Sequence, residues 1–380
     1  MSPDEGAEGT GEHRADEGAE VTSTHGAPEG AGSNPTDDAD ERADDTSTQG
    51  AGKGAPAPDD KRVGRLRRSL ARLRRASFTR ASRGQGTVGA MTAATATPTD
   101  LDPALRDRIR AAVGDRGERE VLIGLDVDGT LVDHHGMMTG RMHRTLQRAA
   151  EKHHVVIATG RSIGATLPIV RAAGVTRGFA VCSNGGVTLQ IDAEARDGFR
   201  VVDVQSFQPG EALAALREVA PRAGFALEAP DGLFFSTGEF QDNSFGVRAT
   251  PTPFDELTQM EAVRVVVHDP ALSAEEFSEI VRSAGVHGVE YAIGTTAWLD
   301  MAAPGVSKAT ALEAIRERLD IPEGDTVTVG DGFNDVEMLR WAGVGFAMGQ
   351  ALDGVAEAAD LRTGTVWEDG TAEVLEALGA

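Results

Sequence analysis

Two acidic residues stand one residue apart at the end of an apolar run, and they are the first candidates for chemistry. Val121–Leu125 carries no charge and ends abruptly at Asp126, which Val127, Asp128, Gly129 and Thr130 follow. Such a run is typical of a strand in a parallel sheet that is covered on both faces. A strand that ends in charge places that charge at the carboxyl edge, where open α/β sheets bind ligands. Taken alone, Asp-x-Asp-Gly is equally well a turn after a strand.

Three further polar stretches stand at the ends of apolar runs or at the start of a helical pattern. They are Thr159-Gly160-Arg161, Lys308, and Gly330-Asp331-Gly332-Phe333-Asn334-Asp335. Each also has an ordinary structural interpretation: a helix cap, a solvated lysine and a turn, respectively. Four such stretches in one sheet make the ordinary interpretation of all of them together much weaker.

The elements that position these residues alternate between strands and helices. Residues 101–187 and 303–380 show short buried strands, each ending in small polar residues and followed by a helix. This pattern predicts an α/β fold with a doubly wound, Rossmann-like parallel sheet. Residues 188–302 are richer in strands, beginning with Phe199–Val204, and they predict an α+β cap domain inserted into this core.

Composition and charge restrict the classes of function. The chain has 380 residues and a formal net charge of −23, which argues against nucleic acid or an anionic membrane as a partner. No apolar run approaches the roughly 20 residues that span a bilayer, and no secretory signal is visible. Cys182 is the single cysteine, so an intrachain disulfide is impossible. These features favour a cytoplasmic protein.

The first 100 residues differ from the rest of the chain. Residues 1–60 hold 16 acidic residues against three basic ones, with Met1 and Val21 as the only apolar side chains larger than alanine. This composition predicts a disordered tail. Residues 61–83 hold ten basic residues and no acidic one, with apolar residues at helical spacing. They are either a weak docking element for an acidic surface, a membrane face or the acidic tail itself, or a solvated basic linker. Met91, just before the globular part, is a candidate for an alternative translation start.

Together, the four polar stretches resemble the motifs of the haloacid dehalogenase (HAD) superfamily. Their order and spacing match the Cof-like subfamily IIB phosphatases, which carry a C2-type cap between the second and third motifs. Asn184-Gly185-Gly186 and Gly305-Val306-Ser307-Lys308 are also typical of that group. The resemblance covers residues 118–380 and none of residues 1–100.

The resemblance implies a role for each residue in these stretches. Asp126 would be the nucleophile that forms an aspartyl phosphate, and Asp128 the general acid and base. Thr159, the backbone of Gly160, Lys308 and Asn334 would bind the phosphoryl group. A magnesium ion would be held by Asp126, the backbone carbonyl of Asp128, Asp331 and Asp335. Such an ion offsets the repulsion between the nucleophile and an anionic phosphate monoester.

These observations predict a phosphoric monoester hydrolase that depends on Mg²⁺ and acts on small phosphorylated metabolites, sugar phosphates being the leading class. The aspartate at position 128 argues against dehalogenases, and the absence of lysine from residues 188–302 argues against phosphonatases. Two alternatives stay open. One is a phosphomutase of the same fold, and the other is a non-catalytic binding or regulatory protein that acts through the N-terminal arm. The substrate and the oligomeric state do not follow from the sequence.

Overall fold

The computed structural model describes residues 101–238, 248–286, 289–293 and 297–380, which contain two β-sheets. Among these residues, the larger sheet consists of β1 (Leu122–Leu125), β2 (His154–Ala158), β3 (Arg177–Cys182), β4 (Val187–Asp192), β5 (Phe199–Val204), β12 (Thr326–Gly330), β13 (Val344–Ala347) and β14 (Leu361–Arg362). Its order is β14-β13-β12-β1-β2-β3-β4-β5. The strands from β14 to β3 are parallel, and β4 and β5 extend the sheet antiparallel.

The smaller sheet is formed by the segment between these two groups of strands. It consists of β6 (Gly224–Glu228), β7 (Phe234–Ser236), β8 (Thr250–Pro251), β9 (Arg264–His268), β10 (Glu290–Ile293) and β11 (Trp298–Ala302). Its order is β10-β11-β9-β6-β7-β8, with every pair antiparallel except β7 and β8. The predicted α/β fold with an inserted α+β segment is therefore confirmed.

The helices of the described residues cover both faces of the larger sheet and one face of the smaller. They are α1 (Pro103–Val113), α2 (Gly140–Lys152), α3 (Ile163–Ala172), α4 (Gly210–Val219), α5 (Phe254–Leu257), α6 (Ala274–Ser283), α7 (Lys308–Leu319), α8 (Val336–Trp341), α9 (Asp353–Ala356) and α10 (Gly370–Ala377). None of these helices has the length and apolar character that crossing a membrane requires.

The alternation of side chains along β1 explains why the run before Asp126 is apolar throughout. Ile123 and Leu125 pack in the core cluster that includes residues of α1, α2 and α10. Leu122 points to the opposite face and packs against Leu312 of α7. A central strand covered on both faces needs apolar residues at every position, so the first tolerated charge is at the end of the strand.

Two strands that the predicted boundary assigns to the insert, β4 from residue 188 onward and β5, join the larger sheet. Phe199–Val204 was expected in the inserted domain, but β5 pairs with β4 in the larger sheet. A tight turn, closed by the bond from the amide of Asp192 to the carbonyl of Gly198, keeps the two strands adjacent. Val201 and Val204 then pack in the main core. The division at residues 187/188 and 302/303 stays a prediction, and this pairing favours an insert that begins after Val204. The expectations for residues 1–100, including the segment 61–83, lie outside the described residues.

Candidate active site at the edge of the larger sheet

Asp126 lies at the carboxyl end of β1, where the backbone continues the pairing with β12. Its amide donates to the carbonyl of Val329 at 3.0 Å, and its side chain is 6% exposed. Lys308, the first residue of α7, donates from Nζ to Oδ1 of Asp126 and to Oδ1 of Asp335, both at 2.6 Å. Ser307 caps α7 through a reciprocal pair of bonds with Thr310, which fixes the point where Lys308 leaves the backbone.

The loop after β12 is organised around Asp335. Oδ2 of Asp335 accepts from the amides of Asp331 at 3.0 Å and Gly332 at 2.9 Å, while its Oδ1 accepts from Lys308. Asp335 therefore joins Lys308 to the backbone that carries Asp331. Because both of its oxygens already accept hydrogen bonds, its first role in this structure is to hold the loop in shape.

The carboxylates strongly influence one another. Burial, followed by the charge of Asp335, raises the pKa of Asp126 well above its usual value despite the opposing effect of Lys308. Burial and Asp335 also raise the pKa of Asp331 to about 6. Burial lowers the pKa of Lys308, but the charges and hydrogen bonds of Asp126 and Asp335 outweigh it and raise that pKa above its usual range. The site thus has more negative charge than the single lysine offsets.

This excess of negative charge matches the requirements of a divalent cation. Asp126, Asp331 and Asp335 each present an oxygen, and the three oxygens lie within 4.8 Å of one another. Mg²⁺ prefers carboxylate and other oxygen ligands at this kind of spacing. The donor set therefore fits Mg²⁺. The side chain of Asp128 is not part of this cluster.

Asp128 instead faces Arg161. The guanidinium of Arg161 donates to both carboxylate oxygens, from Nε to Oδ2 at 2.7 Å and from a terminal nitrogen to Oδ1. Such a bidentate interaction fixes the orientation of a carboxylate as well as its position. Arg161 belongs to one of the four sequence stretches, but the sequence assigned it no role.

The remaining predicted phosphate-binding residues lie around Asn184. Asn334 donates to Oδ1 of Asn184 at 3.0 Å, and the amide of Asn184 donates to the carbonyl of Thr159. A Cβ at Gly160 would lie 3.0 Å from Oδ1 of Asn184, so a larger residue there would press on the Asn184 side chain. Thr159 is 1% exposed and accepts from the amide of Arg161. The structure thus links Thr159, Gly160 and Asn334 through a residue that lay outside the predicted site.

Gly129 and Gln350 bring the loop after β1 close to Asp331. Gly129 has a φ of +79°, and a Cβ there would lie 2.0 Å from Oδ2 of Asp331. Gln350 donates from Nε2 to the carbonyl of Gly129 at 2.6 Å and to Oδ2 of Asp331 at 3.3 Å. Sequence reasoning missed Gln350. A signal was present, because Gln350 follows β13 at the same carboxyl edge that carries Asp126 and Asp331.

A cavity of about 110 Å³ lies between this edge and the smaller sheet. Its core side is lined by Lys308, Asn184, Asn334, Phe333 and Glu337 among others, and its other side by residues of β11, including Asp300 and Met301. Phe333 is 43% exposed, unusually high for a phenylalanine. The cavity is the space next to Lys308 in which a small ligand can lie.

The two sheets are also joined by a buried polar contact. The hydroxyl of Ser183, just after β3, donates to Oε2 of Glu228 in β6 at 2.6 Å. Burial raises the pKa of Glu228 to about 7, although Ser183 and Arg264 oppose the shift. Within the insert, the sequence makes residues 228–243 and those near Arg248 unranked candidates for substrate selection. Residues 239–243 lie outside the described residues, Glu228 is buried in this contact, and Arg248 is exposed.

Comparison with known proteins agrees with this architecture. Residues 123–375 match the family model of haloacid dehalogenase-like hydrolases, and the chain belongs to that family. The 5-amino-6-(5-phospho-D-ribitylamino)uracil phosphatase YitU of Bacillus subtilis is 26% identical over 279 residues, covering 67% of this chain and 96% of its own. A phosphoglycolate phosphatase of Halorubrum lacusprofundi is 27% identical over 256 residues, covering 67% and 95%.

Solved structures show the same fold. The HAD subclass IIB sugar phosphatase BT4131 superposes with a TM-score of 0.58 at 24% identity, covering 68% of this chain and 99% of its own. The expected membership of the HAD superfamily and the expected phosphatase class are thereby confirmed.

Proposed function

We propose that this protein is a Mg²⁺-dependent phosphatase that hydrolyses small phosphorylated metabolites, with sugar phosphates as the leading class, through an aspartyl phosphate on Asp126. The observation that carries the proposal is the contact of Lys308 with both Asp126 and Asp335 beside Asp331. This arrangement supplies a carboxylate nucleophile, a cation for a phosphoryl oxygen and a cluster of oxygen donors, and its lysine also lines the cavity.

In the first half of the reaction, a carboxylate oxygen of Asp126 attacks phosphorus as the bond from phosphorus to the leaving oxygen breaks. Asp128 gives a proton to the leaving oxygen. In the second half, Asp128 takes a proton from water, which attacks phosphorus and regenerates the carboxylate of Asp126. Proton transfer by a positioned group contributes about 10²–10⁴-fold to rates of this kind.

Lys308 and the loop around Asn184 act on the phosphoryl group. The ammonium of Lys308 stabilises charge on the phosphoryl oxygens, and it is already desolvated at 1% exposure, which strengthens its effect. Thr159, the backbone of Gly160 and Asn334 are the proposed hydrogen-bond donors to the remaining oxygens. Asn184 supports them through its bonds to Asn334 and to the carbonyl of Thr159.

Asp126 and Asp331 would hold Mg²⁺ together with the backbone carbonyl of Asp128, while Asp335 would contribute an oxygen or a bond to a bound water. When bound, the ion neutralises charge between the nucleophile and the phosphoryl group. Gly129 and Gln350 keep Asp331 in reach of Asp126 by fixing the loop between them.

The pairing of Arg161 with Asp128 implies a rearrangement before the first step. Both carboxylate oxygens accept from the guanidinium, so the pair must open before Asp128 can pass a proton to the leaving oxygen. An incoming phosphoryl group is an anion that competes for Arg161. Substrate binding itself would thus release Asp128 for catalysis.

The experiment that tests the proposal is a phosphate-release screen of the purified protein against about a hundred phosphorylated metabolites, with Mg²⁺ and with EDTA in parallel. Release that depends on Mg²⁺ supports the phosphatase. Activity that needs a bisphosphate activator would point to a phosphomutase. A lack of phosphate release from every compound tested would point to a binding protein.

The expected cytoplasmic location stays a prediction. Burial raises the pKa of the Cys182 thiol to about 12, which keeps the thiol protonated and a poor nucleophile.

A further inference from the structure

The smaller sheet turns one of its faces to the cavity, and that face carries charged residues. Along β6, β9 and β11, Phe225, Val265 and Leu299 point toward the packed cluster that contains α4 and α6. The side chains between them point the other way, because successive residues of a strand alternate between faces. They include Glu228, Arg264, Trp298 and Asp300, of which Asp300 lines the cavity.

The carboxylate of Asp300 is fixed by two donors on this face. Nε of Arg264 donates to its Oδ1 at 2.5 Å, and Nε1 of Trp298 donates to its Oδ2 at 3.0 Å. Arg264 is 3% exposed, whereas the side chain of Asp300 is 20% exposed. A carboxylate has about four acceptor sites, so two donors leave further sites for a ligand. Asp300 is thus a hydrogen-bond acceptor with a fixed orientation, and it faces the space beside Lys308.

The wall of the cavity offers acceptors and little positive charge. Lys308 is the one cation among the described residues that line it, and its ammonium already forms ion pairs with Asp126 and Asp335. Glu337 adds a second carboxylate. In the insert, Arg217 lies over the rings of Phe225 and Phe254 and is not a lining residue.

We infer that Asp300, positioned by Arg264 and Trp298, is a specificity-determining residue that selects phosphate monoesters whose leaving group carries hydroxyl or amino donors and rejects those with a second anion. The inference rests on the proposed phosphatase function. It separates this chain from an enzyme built for a carboxylated substrate such as phosphoglycolate, the substrate in the name of one relative.

Two physical effects produce this selection. A hydroxyl or amino group of the leaving group donates to the held oxygens of Asp300, which need no reorganisation to accept. A carboxylate in the same place offers no donor and meets two like charges. It also loses its water, and the one cation among the described lining residues, Lys308, is already paired with two carboxylates. A site built to accept hydrogen bonds discriminates strongly against a group that cannot donate them.

The test uses two substrates that differ only at the end far from the phosphate. Glucitol 6-phosphate carries a hydroxymethyl group where 6-phosphogluconate carries a carboxylate. With Mg²⁺ and the full chain, we expect kcat/KM for glucitol 6-phosphate to exceed that for 6-phosphogluconate by at least about tenfold. Equal values, or a preference for 6-phosphogluconate, would overturn the inference while leaving the phosphatase intact. Phenyl phosphate, whose leaving group has no further polar group, reports on the chemistry alone. If even phenyl phosphate yields no phosphate, the proposed function fails and this inference with it.

The variant Asp300→Asn then tests whether Asp300 is the residue that causes this substrate preference. Removing the charge should bring the ratio of the kcat/KM values for the two substrates about tenfold closer to one. The main cause should be a higher kcat/KM for 6-phosphogluconate. Trp298→Phe, which removes only the indole donor, should move the ratio in the same direction. Asp255→Asn, on the exposed start of α5, should leave the ratio as in the parent. An unchanged ratio in both Asp300→Asn and Trp298→Phe would show that another residue selects.

Discussion

Lys308 and Asp126 are joined by a hydrogen bond of 2.6 Å across 182 residues of chain. The bond joins the two parts of the core, because Lys308 begins α7 after the inserted segment and Asp126 directly follows β1 before it. The same ammonium contacts Asp335, which accepts from the amides of the loop that carries Asp331. One lysine thus links the three segments that meet at the edge of the sheet.

Asp126→Asn removes the proposed nucleophile and conserves the shape of the side chain. We expect turnover to fall by at least about 10³-fold, since the amide cannot form the aspartyl phosphate. The melting temperature should not fall, because the variant removes one of the mutually repelling carboxylates. Phosphate release and circular dichroism measure the two effects. Full activity in a correctly folded variant would remove Asp126 from the mechanism.

Lys308→Met keeps the length of the side chain and removes its charge. We expect kcat to fall by about 10²–10³-fold, because the developing charge on the phosphoryl group loses its cation. Stability at neutral pH should also fall, since Asp126 and Asp335 then face each other without a counter-charge. Lys152→Met, which removes an exposed lysine that donates to the carbonyl of Leu378, is the matched control. Loss of kcat in both variants alike would contradict the role of Lys308.

Mg²⁺ should stabilise the folded protein even when no substrate is present. An ion that relieves repulsion among Asp126, Asp331 and Asp335 binds the native state, and at about 100 times its Kd it adds about 2.7 kcal/mol. Melting curves with Mg²⁺ and with EDTA measure this gain. Asp331→Asn should abolish it, whereas Asp107→Asn on the surface of α1 should retain it. A gain that survives in Asp331→Asn would place the ion elsewhere.

Gly129→Ala and Gly136→Ala separate backbone strain from a steric clash at the site. Both glycines have positive φ, +79° and +73°, so each alanine costs about 1–2 kcal/mol of stability. The added Cβ at Gly129 would lie 2.0 Å from Oδ2 of Asp331, whereas at Gly136 it would meet nothing within 4 Å. We therefore expect Gly129→Ala alone to weaken Mg²⁺ binding and turnover, by about tenfold or more. Equal kinetic effects of the two variants would contradict the contact.

Much of the site follows from the sequence because parallel strands end at one edge. β1 and β12 are neighbours, so a sequence pattern of strand followed by aspartate is sufficient to bring Asp126 and Asp331 together. Lys308 could be placed only through the resemblance to a family, since nothing local shows where a lysine at the start of a helix will point. Gln350 follows a strand that ends at the same edge, so the same reasoning predicts that it lies near the site.

The face that the insert turns to the core did not follow from the sequence. The alternation along β11 separates Asp300 from Met301, but which of them meets a ligand depends on how the smaller sheet packs. Pairing partners are equally nonlocal: Phe199–Val204 has the pattern of a strand, and its place beside β4 depends on the short turn between them. Both features depend on packing between segments that no local sequence pattern specifies.

Glu228 predicts a pH dependence of stability. Burial raises its pKa from 4.5 to about 7, so the folded state favours the protonated form. The penalty is absent below pH 4.5, grows as the pH rises toward 7 and is complete above it, at about 3 kcal/mol. Glu228→Gln should therefore raise the melting temperature at pH 8 and change it little at pH 5. The exposed Glu275→Gln serves as the control, and a gain that is equal at both pH values would contradict the burial of a titrating carboxyl.

The most direct test of the account is to trap the phosphoryl group on the protein. The enzyme is mixed with a substrate found in the screen, quenched in the steady state and treated with borohydride, which reduces an acyl phosphate to an alcohol. Peptide mass spectrometry then locates the reduced residue. The account predicts homoserine at position 126, only with substrate and Mg²⁺, and none in Asp126→Asn. The account would be contradicted if the enzyme turns over substrate but the reduced residue is at another position. It would also be contradicted if no reduced residue is found under conditions that trap a known acyl phosphate.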